Sequence, residues 1–77
     1  MTDDVKRTIG PVLRERRLEL KLTLEQVAKQ TKIRKAYLES LEEERFEELP
    51  GQAYVIGFLQ NYARILGLPA ASLIDAL

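Results

Sequence analysis

The side chains that could do chemistry in this chain are lysines, arginines and carboxylates, and they favour binding over catalysis. Cysteine and histidine are both absent, which removes the usual ligands of zinc and every Ser-His or Cys-His nucleophile. Two carboxylates can hydrolyse a glycosidic bond, but they need a cleft, and one domain of 77 residues rarely builds one. We therefore predict that the protein is not an enzyme and uses no cofactor, metal ion or small-molecule substrate.

Five basic residues form the first candidate binding site. Lys32, Arg34 and Lys35 stand within four positions of one another, and Arg17 and Lys29 precede them. Lysine and arginine contact the phosphates of nucleic acids, and both also pair with guanine edges. The pattern indicates a nucleic-acid-binding surface as one hypothesis. The alternative is a set of solvated helix faces, which explains most runs of charge.

The charge distribution supports an anionic partner but argues against DNA in particular. Residues 1–37 hold ten Lys or Arg against five Asp or Glu, whereas residues 38–77 hold two against seven, so one part of the surface should be basic. Four glutamates follow the basic run and would repel phosphate: Glu39, Glu42, Glu43 and Glu44. Because the pI near 6.3 is also far below that of typical nucleic-acid-binding domains, DNA stays open as a partner but is disfavoured.

We expect helices to position these residues, because residues with high helix propensity dominate the sequence. The alternation of apolar and polar residues that is typical of strands is missing. Thr23 to Gln26 match the capping box that starts a helix, and Gly67 followed by Pro69 marks a helix end. We predict an all-α fold, a compact five-helix bundle formed by residues 10–77 after an N-terminal tail of residues 1–9. The predicted helices cover about residues 11–21, 24–30, 31 or 32 to 44, 52–66 and 70–76.

The second and third predicted helices read as a helix-turn-helix. They are short, are joined by about three residues, and carry the small Ala28 where they would cross. Four apolar residues form the inward side of the third helix: Ile33, Tyr37, Leu38 and Leu41. In the DNA-binding use of this unit, the N-terminal half of its second helix enters the major groove, and here that half would carry the basic run.

The fourth predicted helix has more apolar surface than one core needs. At about 100° per residue, its apolar side chains span about 200°, twice the ~100° stripe of a helix packed on a single core. The core side is formed by Val55, Leu59, Tyr62 and Leu66. One edge of the arc carries Tyr54, Phe58 and Ile65, and the other carries Ala63 and Ile56. If the edge with Tyr54 and Phe58 stays exposed, it is the kind of patch that binds another protein; the alternative is that the last helix covers the excess.

Several runs of residues carry a family resemblance. They are Leu13-Arg14-x-x-Arg17, Leu22-Thr23-Leu24-Glu25-Gln26-Val27-Ala28, Phe46-x-x-Leu49-Pro50-Gly51 and Tyr54-x-x-Gly57-Phe58-Leu59-x-x-Tyr62-Ala63-x-x-Leu66-Gly67-Leu68. With these runs the chain resembles the N-terminal cytoplasmic domain of the RodZ family, bacterial cell-shape proteins that link the actin-like MreB filament to the inner membrane. The helix-turn-helix part alone is shared with the wider Cro and lambda repressor-like group.

The resemblance implies a partner, a site and a location. Family members contact MreB through the fourth helix with two aromatics four residues apart, which match Tyr54 and Phe58 here. In the full protein the domain would lie at the cytoplasmic face of the inner membrane, attached only through sequence beyond residue 77. The preferred hypothesis is therefore an MreB-binding interaction module. A Cro/repressor-type DNA-binding transcriptional regulator is the alternative, and self-association without a specific partner is a third.

Overall fold

A computed structural model describes residues 9–77 of the chain. These residues form five α-helices and one short 3-10 helix: α1 Ile9–Glu19, α2 Leu24–Thr31, α3 Lys35–Glu42, the 3-10 helix Phe46–Glu48, α4 Gln52–Leu66 and α5 Ala70–Asp75. The predicted all-α five-helix bundle is confirmed. The predicted tail of residues 1–9 lies outside the described residues except for Ile9, which belongs to α1 and is buried, so the folded part begins before residue 10.

The capping box predicted at Thr23 forms as expected. The Thr23 hydroxyl accepts a hydrogen bond from the Gln26 N–H at 3.1 Å, and the Thr23 N–H donates to the Gln26 side-chain oxygen at 2.8 Å. Both groups would otherwise be free at the start of a helix, which is why this pair fixes the first residue of α2 at Leu24.

The third helix is shorter than predicted at both ends. Thr31 stays in α2, where its hydroxyl donates to the Val27 carbonyl at 2.8 Å. Lys32 then adopts a left-handed conformation with φ 64°, and Arg34 is extended, so α3 starts only at Lys35. The prediction that Lys32 and Arg34 begin the third helix is therefore wrong, since a left-handed residue ends a helix. Both residues lie in the turn.

The end of α3 meets the start of α1 at a glycine. A Cβ atom on Gly10 would lie 2.1 Å from the Glu42 carbonyl oxygen, far closer than atoms can approach. The Gly10 N–H donates to the Glu44 carboxylate at 2.9 Å, and Glu44 is itself left-handed with φ 60°, which ends α3 earlier than predicted. The first predicted helix is also displaced, since Lys21 is left-handed and α1 ends at Glu19.

The core lies between α4 and the helix-turn-helix. The predicted core side of α4 is confirmed, and its buried members are Val55, Leu59, Tyr62 and Leu66. The α2–α3 side contributes Val27, Ile33, Leu38 and Leu41. The α4 helix has the predicted bounds and ends at Gly67 in the left-handed conformation that a glycine readily adopts. Among residues 9–77, no helix is long and apolar enough to cross a bilayer.

Candidate functional site

Three aromatic rings, of Tyr37, Phe58 and Tyr54, lie side by side on the surface, and we call them the aromatic cluster. The ring centroids of Tyr37 and Phe58 are 5.5 Å apart and nearly parallel, and those of Phe58 and Tyr54 are 5.7 Å apart and tilted. Tyr54 is 54% exposed, while Phe58 and Tyr37 are half-buried. The predicted edge of α4 therefore faces water at Tyr54, with Phe58 supporting it from the inside.

The position of the cluster follows from the register of α4. Val55 and Leu59 are buried and fix the rotation of the helix, which places Tyr54 and Phe58 one turn apart at its edge. The Tyr54 ring also lies beside Gly51, because a Cβ atom there would be 3.7 Å from the ring. An aromatic side chain held this way loses little conformational freedom on binding and offers a large apolar area. Such an edge suits docking into an apolar pocket.

Residues 70–77 lie beside the opposite edge of α4. The α5 helix packs against α4, and Leu77, just after α5, lines a shallow groove of about 330 Å³ together with Ile56, Val55, Phe46 and Gln52. The alternative that the last helix covers the excess apolar surface is therefore wrong for Tyr54. At the other edge Ala63 is buried, while Ile56 stays 43% exposed.

The predicted basic residues do not form one free surface. Lys29, Lys32 and Arg34 are exposed. The ammonium of Lys35, however, is 2.8 Å from a carboxylate oxygen of Glu25 and so joins α3 to α2. The hydrogen bond between them lowers the pKa of Glu25 and raises the pKa of Lys35. Lys35 is thus partly neutralised within the domain.

Arg17 is not available for phosphate, which corrects its predicted role. Its Nε and Nη2 donate to the two carboxylate oxygens of Glu42 at 2.7 and 3.2 Å, and its Nη1 donates to the Leu22 carbonyl at 3.0 Å. The side chains of Arg17 and Glu42 are only 11% and 6% exposed. The hydrogen bond with Glu42 raises the pKa of Arg17 against the opposing effect of burial. The physical reason for the correction is that a buried carboxylate needs this cation.

Tyr62 completes this buried group. Its hydroxyl donates a hydrogen bond to the same carboxylate of Glu42, and its side chain is fully buried. Burial, followed by this hydrogen bond, raises the pKa of Tyr62 well above its ordinary value. The sequence analysis counted Glu42 among the glutamates that repel phosphate, which is wrong because its side chain is only 6% exposed and paired with Arg17. A core tyrosine signals only that a partner for its hydroxyl must exist.

The outward face of α3 carries carboxylates where a DNA-reading helix needs hydrogen-bond donors. Lys35 and Ala36 are exposed, Glu39 is half-buried, and Glu43 is exposed directly after the last residue of α3. Carboxylates repel the phosphates that flank a major groove, and the single cation of this face is paired with Glu25. Within residues 9–77, no three His, Cys, Asp or Glu side chains are arranged to hold a metal ion. The arrangement therefore offers an aromatic docking surface more plainly than a nucleic-acid interface.

Comparison with known proteins gives one family and several relatives. A family model described as a helix-turn-helix domain matches residues 12–73. The "Cytoskeleton protein RodZ" of Streptococcus pneumoniae is 38% identical over 76 residues, which cover 99% of this chain and 28% of that protein. The "Uncharacterized membrane protein YmfM" of Bacillus subtilis is 39% identical over 54 residues, 70% of this chain and 19% of that protein.

An uncharacterized protein of Haemophilus influenzae is also 39% identical over 61 residues, 78% of this chain and 20% of that protein. No solved structure matches the chain. The chain spans less than a third of the length of each of these curated relatives. The match to RodZ over nearly the whole chain confirms the resemblance found in the sequence.

Proposed function

The chain belongs to the family of helix-turn-helix domains, and from that premise we propose that it is a non-enzymatic interaction module of a RodZ-like cell-shape protein, docking on the actin-like MreB filament through α4. The RodZ-like character rests on the relative named a cytoskeleton protein. The observation that carries the docking is the aromatic cluster, in which Tyr54 is 54% exposed and lies against Phe58.

The energetics of such a surface favour Tyr54 and Phe58 as the anchors. Aromatic anchors at interface centres typically contribute at least about 2 kcal/mol when truncated. The cluster is preorganised, because Phe58 is stacked on Tyr37 and touches Tyr54 before any partner arrives. A surface that is already ordered loses less entropy on docking, so more of the interaction free energy of these rings is available for binding.

We also propose a location for the domain. One relative is named a membrane protein, which supports an association of the full-length protein with a membrane. On this proposal the domain lies at the cytoplasmic face of the inner membrane and holds the filament close to the bilayer.

The experiment is co-sedimentation of the domain with polymerised MreB. Tyr54→Ala together with Phe58→Ala should weaken binding about thirtyfold or more, because two anchors are lost. Tyr54→Ala alone should also weaken it, and this exposed position leaves the core intact. The matched control is Ile56→Ala with Leu77→Ala, which removes exposed apolar side chains from the other edge of α4. Wild-type co-sedimentation by a Tyr54→Ala variant with a normal thermal unfolding curve would refute the proposal.

A Cro/repressor-type DNA-binding regulator is the second candidate, and the exposed Lys29, Lys32 and Arg34 favour it. Duplex binding would weaken with salt by a log–log slope of about −0.9 per phosphate neutralised. Lys32→Glu with Arg34→Glu would remove that binding. An absence of duplex binding at low salt eliminates this candidate.

A further inference from the structure

The basic residues predicted to bind nucleic acid divide into two kinds, those paired with a carboxylate inside the domain and those without such a partner. Arg17 and Lys35 are engaged by Glu42 and Glu25. Lys32 and Arg34, by contrast, are exposed in the turn, and no carboxylate of residues 9–77 lies within ion-pair distance of either. An exposed pair of cations without an internal partner can attract a charge on another molecule.

The turn that carries these cations leads directly into the aromatic cluster. The Arg34 carbonyl accepts a hydrogen bond from the Tyr37 N–H at 3.0 Å. The Tyr37 ring stacks on Phe58, and Phe58 contacts Tyr54. From the turn to Tyr54 there is thus a continuous path of neighbouring residues, with a basic end and an aromatic end.

From this continuity we infer that Lys32 and Arg34 form the charged rim of the docking surface whose centre is Tyr54 and Phe58, and that the partner carries carboxylates beside the pocket that receives the rings. The inference rests on the proposed function and extends it to the chemistry of the partner. Interfaces of this anatomy have an aromatic centre and a polar rim. On this inference, Lys32 and Arg34 face a protein partner and not DNA.

The geometry favours an acidic protein surface over a duplex. A duplex read by α3 would meet Glu39 and Glu43 on the outward face of that helix, which repel phosphate. A partner docked on α4 would meet the turn through Tyr37 and would leave that acidic face free. Lys32 and Arg34 can therefore attract an acidic protein surface, but they do not outweigh the repulsion between a duplex and the two glutamates.

The charged rim should act mainly on the rate of association. Rim charges steer the encounter and typically alter the association rate and its salt dependence, while buried anchors set the dissociation rate. At an ionic strength of about 0.15 M the screening length is about 8 Å, so the effect of the two cations should be large in low salt and small in high salt.

The test measures association and dissociation rates on surface-tethered MreB filaments across a range of salt. Lys32→Glu with Arg34→Glu should slow association roughly tenfold or more in low salt and flatten the salt dependence. The dissociation rate should change far less. Tyr54→Ala should do the reverse and speed dissociation. Arg14→Glu with Lys21→Glu is the control, because it reverses the same total charge at two exposed positions on the α1 side.

Each outcome decides between the two proposals. If the wild-type domain binds filaments and the Lys32→Glu, Arg34→Glu variant associates as fast as wild type, the charged rim is refuted while the proposed function stands. If the control pair slows association equally, the effect comes from net charge, and the charged-rim inference is refuted as well. Salt-sensitive duplex binding that is lost in the rim variant, with unchanged filament binding, assigns the cations to DNA. A wild-type domain that binds no filament overturns both proposals.

Discussion

At the scale of single residues, Glu42 organises the interior of the domain. One carboxylate accepts two hydrogen bonds from Arg17 and one from Tyr62, while the remaining Nη1 of Arg17 reaches the Leu22 carbonyl. Burying an ion pair is costly unless its remaining hydrogen-bonding groups are also satisfied. Within the described residues, no buried side-chain nitrogen or oxygen lacks a partner, so this condition is met.

Replacing Glu42 should therefore harm the fold more than removing the tyrosine hydroxyl. Glu42→Gln keeps the shape but leaves the Arg17 charge uncompensated, which typically costs about 3–5 kcal/mol. Tyr62→Phe removes one hydrogen bond to a charged group that keeps its cation, and about 1–3 kcal/mol is expected. Urea unfolding followed by circular dichroism gives both free energies of unfolding. If Glu42→Gln proves no more harmful than Tyr62→Phe, the buried pair contributes little.

Sequence reasoning placed one member of this group of three correctly, Tyr62. The helical period of α4 places Tyr62 on the core side, and the structure buries it. The period says nothing about which side chain meets the hydroxyl, because Glu42 lies 20 residues away and Arg17 lies a further 25 residues from Glu42. Such pairings are set by how three helices pack. For the same reason, Arg17 was wrongly predicted to be a surface cation.

At the scale of helices, local capping signals gave reliable bounds. The capping box at Thr23 starts α2, and Gly67 ends α4. The start of α3 was misplaced because no capping side chain marks it. Thr31 instead extends α2 by bonding to the Val27 carbonyl, and a lysine occupies the left-handed position that the sequence would assign to glycine. Only backbone geometry reveals such a turn.

Two glycines in helices should respond in opposite ways to the same substitution. Gly10→Ala places a methyl group against the Glu42 carbonyl and should destabilise the domain by about 1–3 kcal/mol, as overpacking does. Gly57→Ala adds a methyl group in open space within α4, since nothing lies within 4 Å, and should stabilise it by about 0.5–1 kcal/mol. Thermal unfolding curves of both variants test the pair; destabilisation by Gly57→Ala would contradict the open space.

At the scale of the whole molecule, the excess apolar arc of α4 could be predicted, but how far each of its two edges is covered could not, since Tyr54 is 54% and Ile56 43% exposed. The helical period places Tyr54 and Ile56 at opposite edges of α4 and does not say which of the two edges is covered more. That coverage depends on the path of the chain after Gly67, which brings Leu77 beside Ile56. It also depends on α3, whose Tyr37 supports Phe58. Both are properties of the packed bundle.

The stability of the whole domain should fall at alkaline pH. Folding raises the pKa of the buried Tyr62, so above pH 10, its ordinary pKa, the unfolded chain releases a proton that the folded chain keeps. The contribution is complete below that pH and is lost as the pH rises, by about 1.4 kcal/mol per pH unit. Tyr62→Phe should flatten this decline. Unfolding free energies of both proteins at about pH 9, 10 and 11 make the comparison; parallel curves would contradict it.

Gly57 has a consequence outside the domain. It stands between Tyr54 and Phe58 in the sequence, and an empty space surrounds the place where its side chain would be. A bare peptide in mid-helix weakens the fold, and none of the atoms of residues 9–77 near this point requires it. On the proposed docking through α4, a partner surface that lies flat against the backbone here would account for the glycine. A bulkier residue would then leave the domain folded and prevent the partner from approaching.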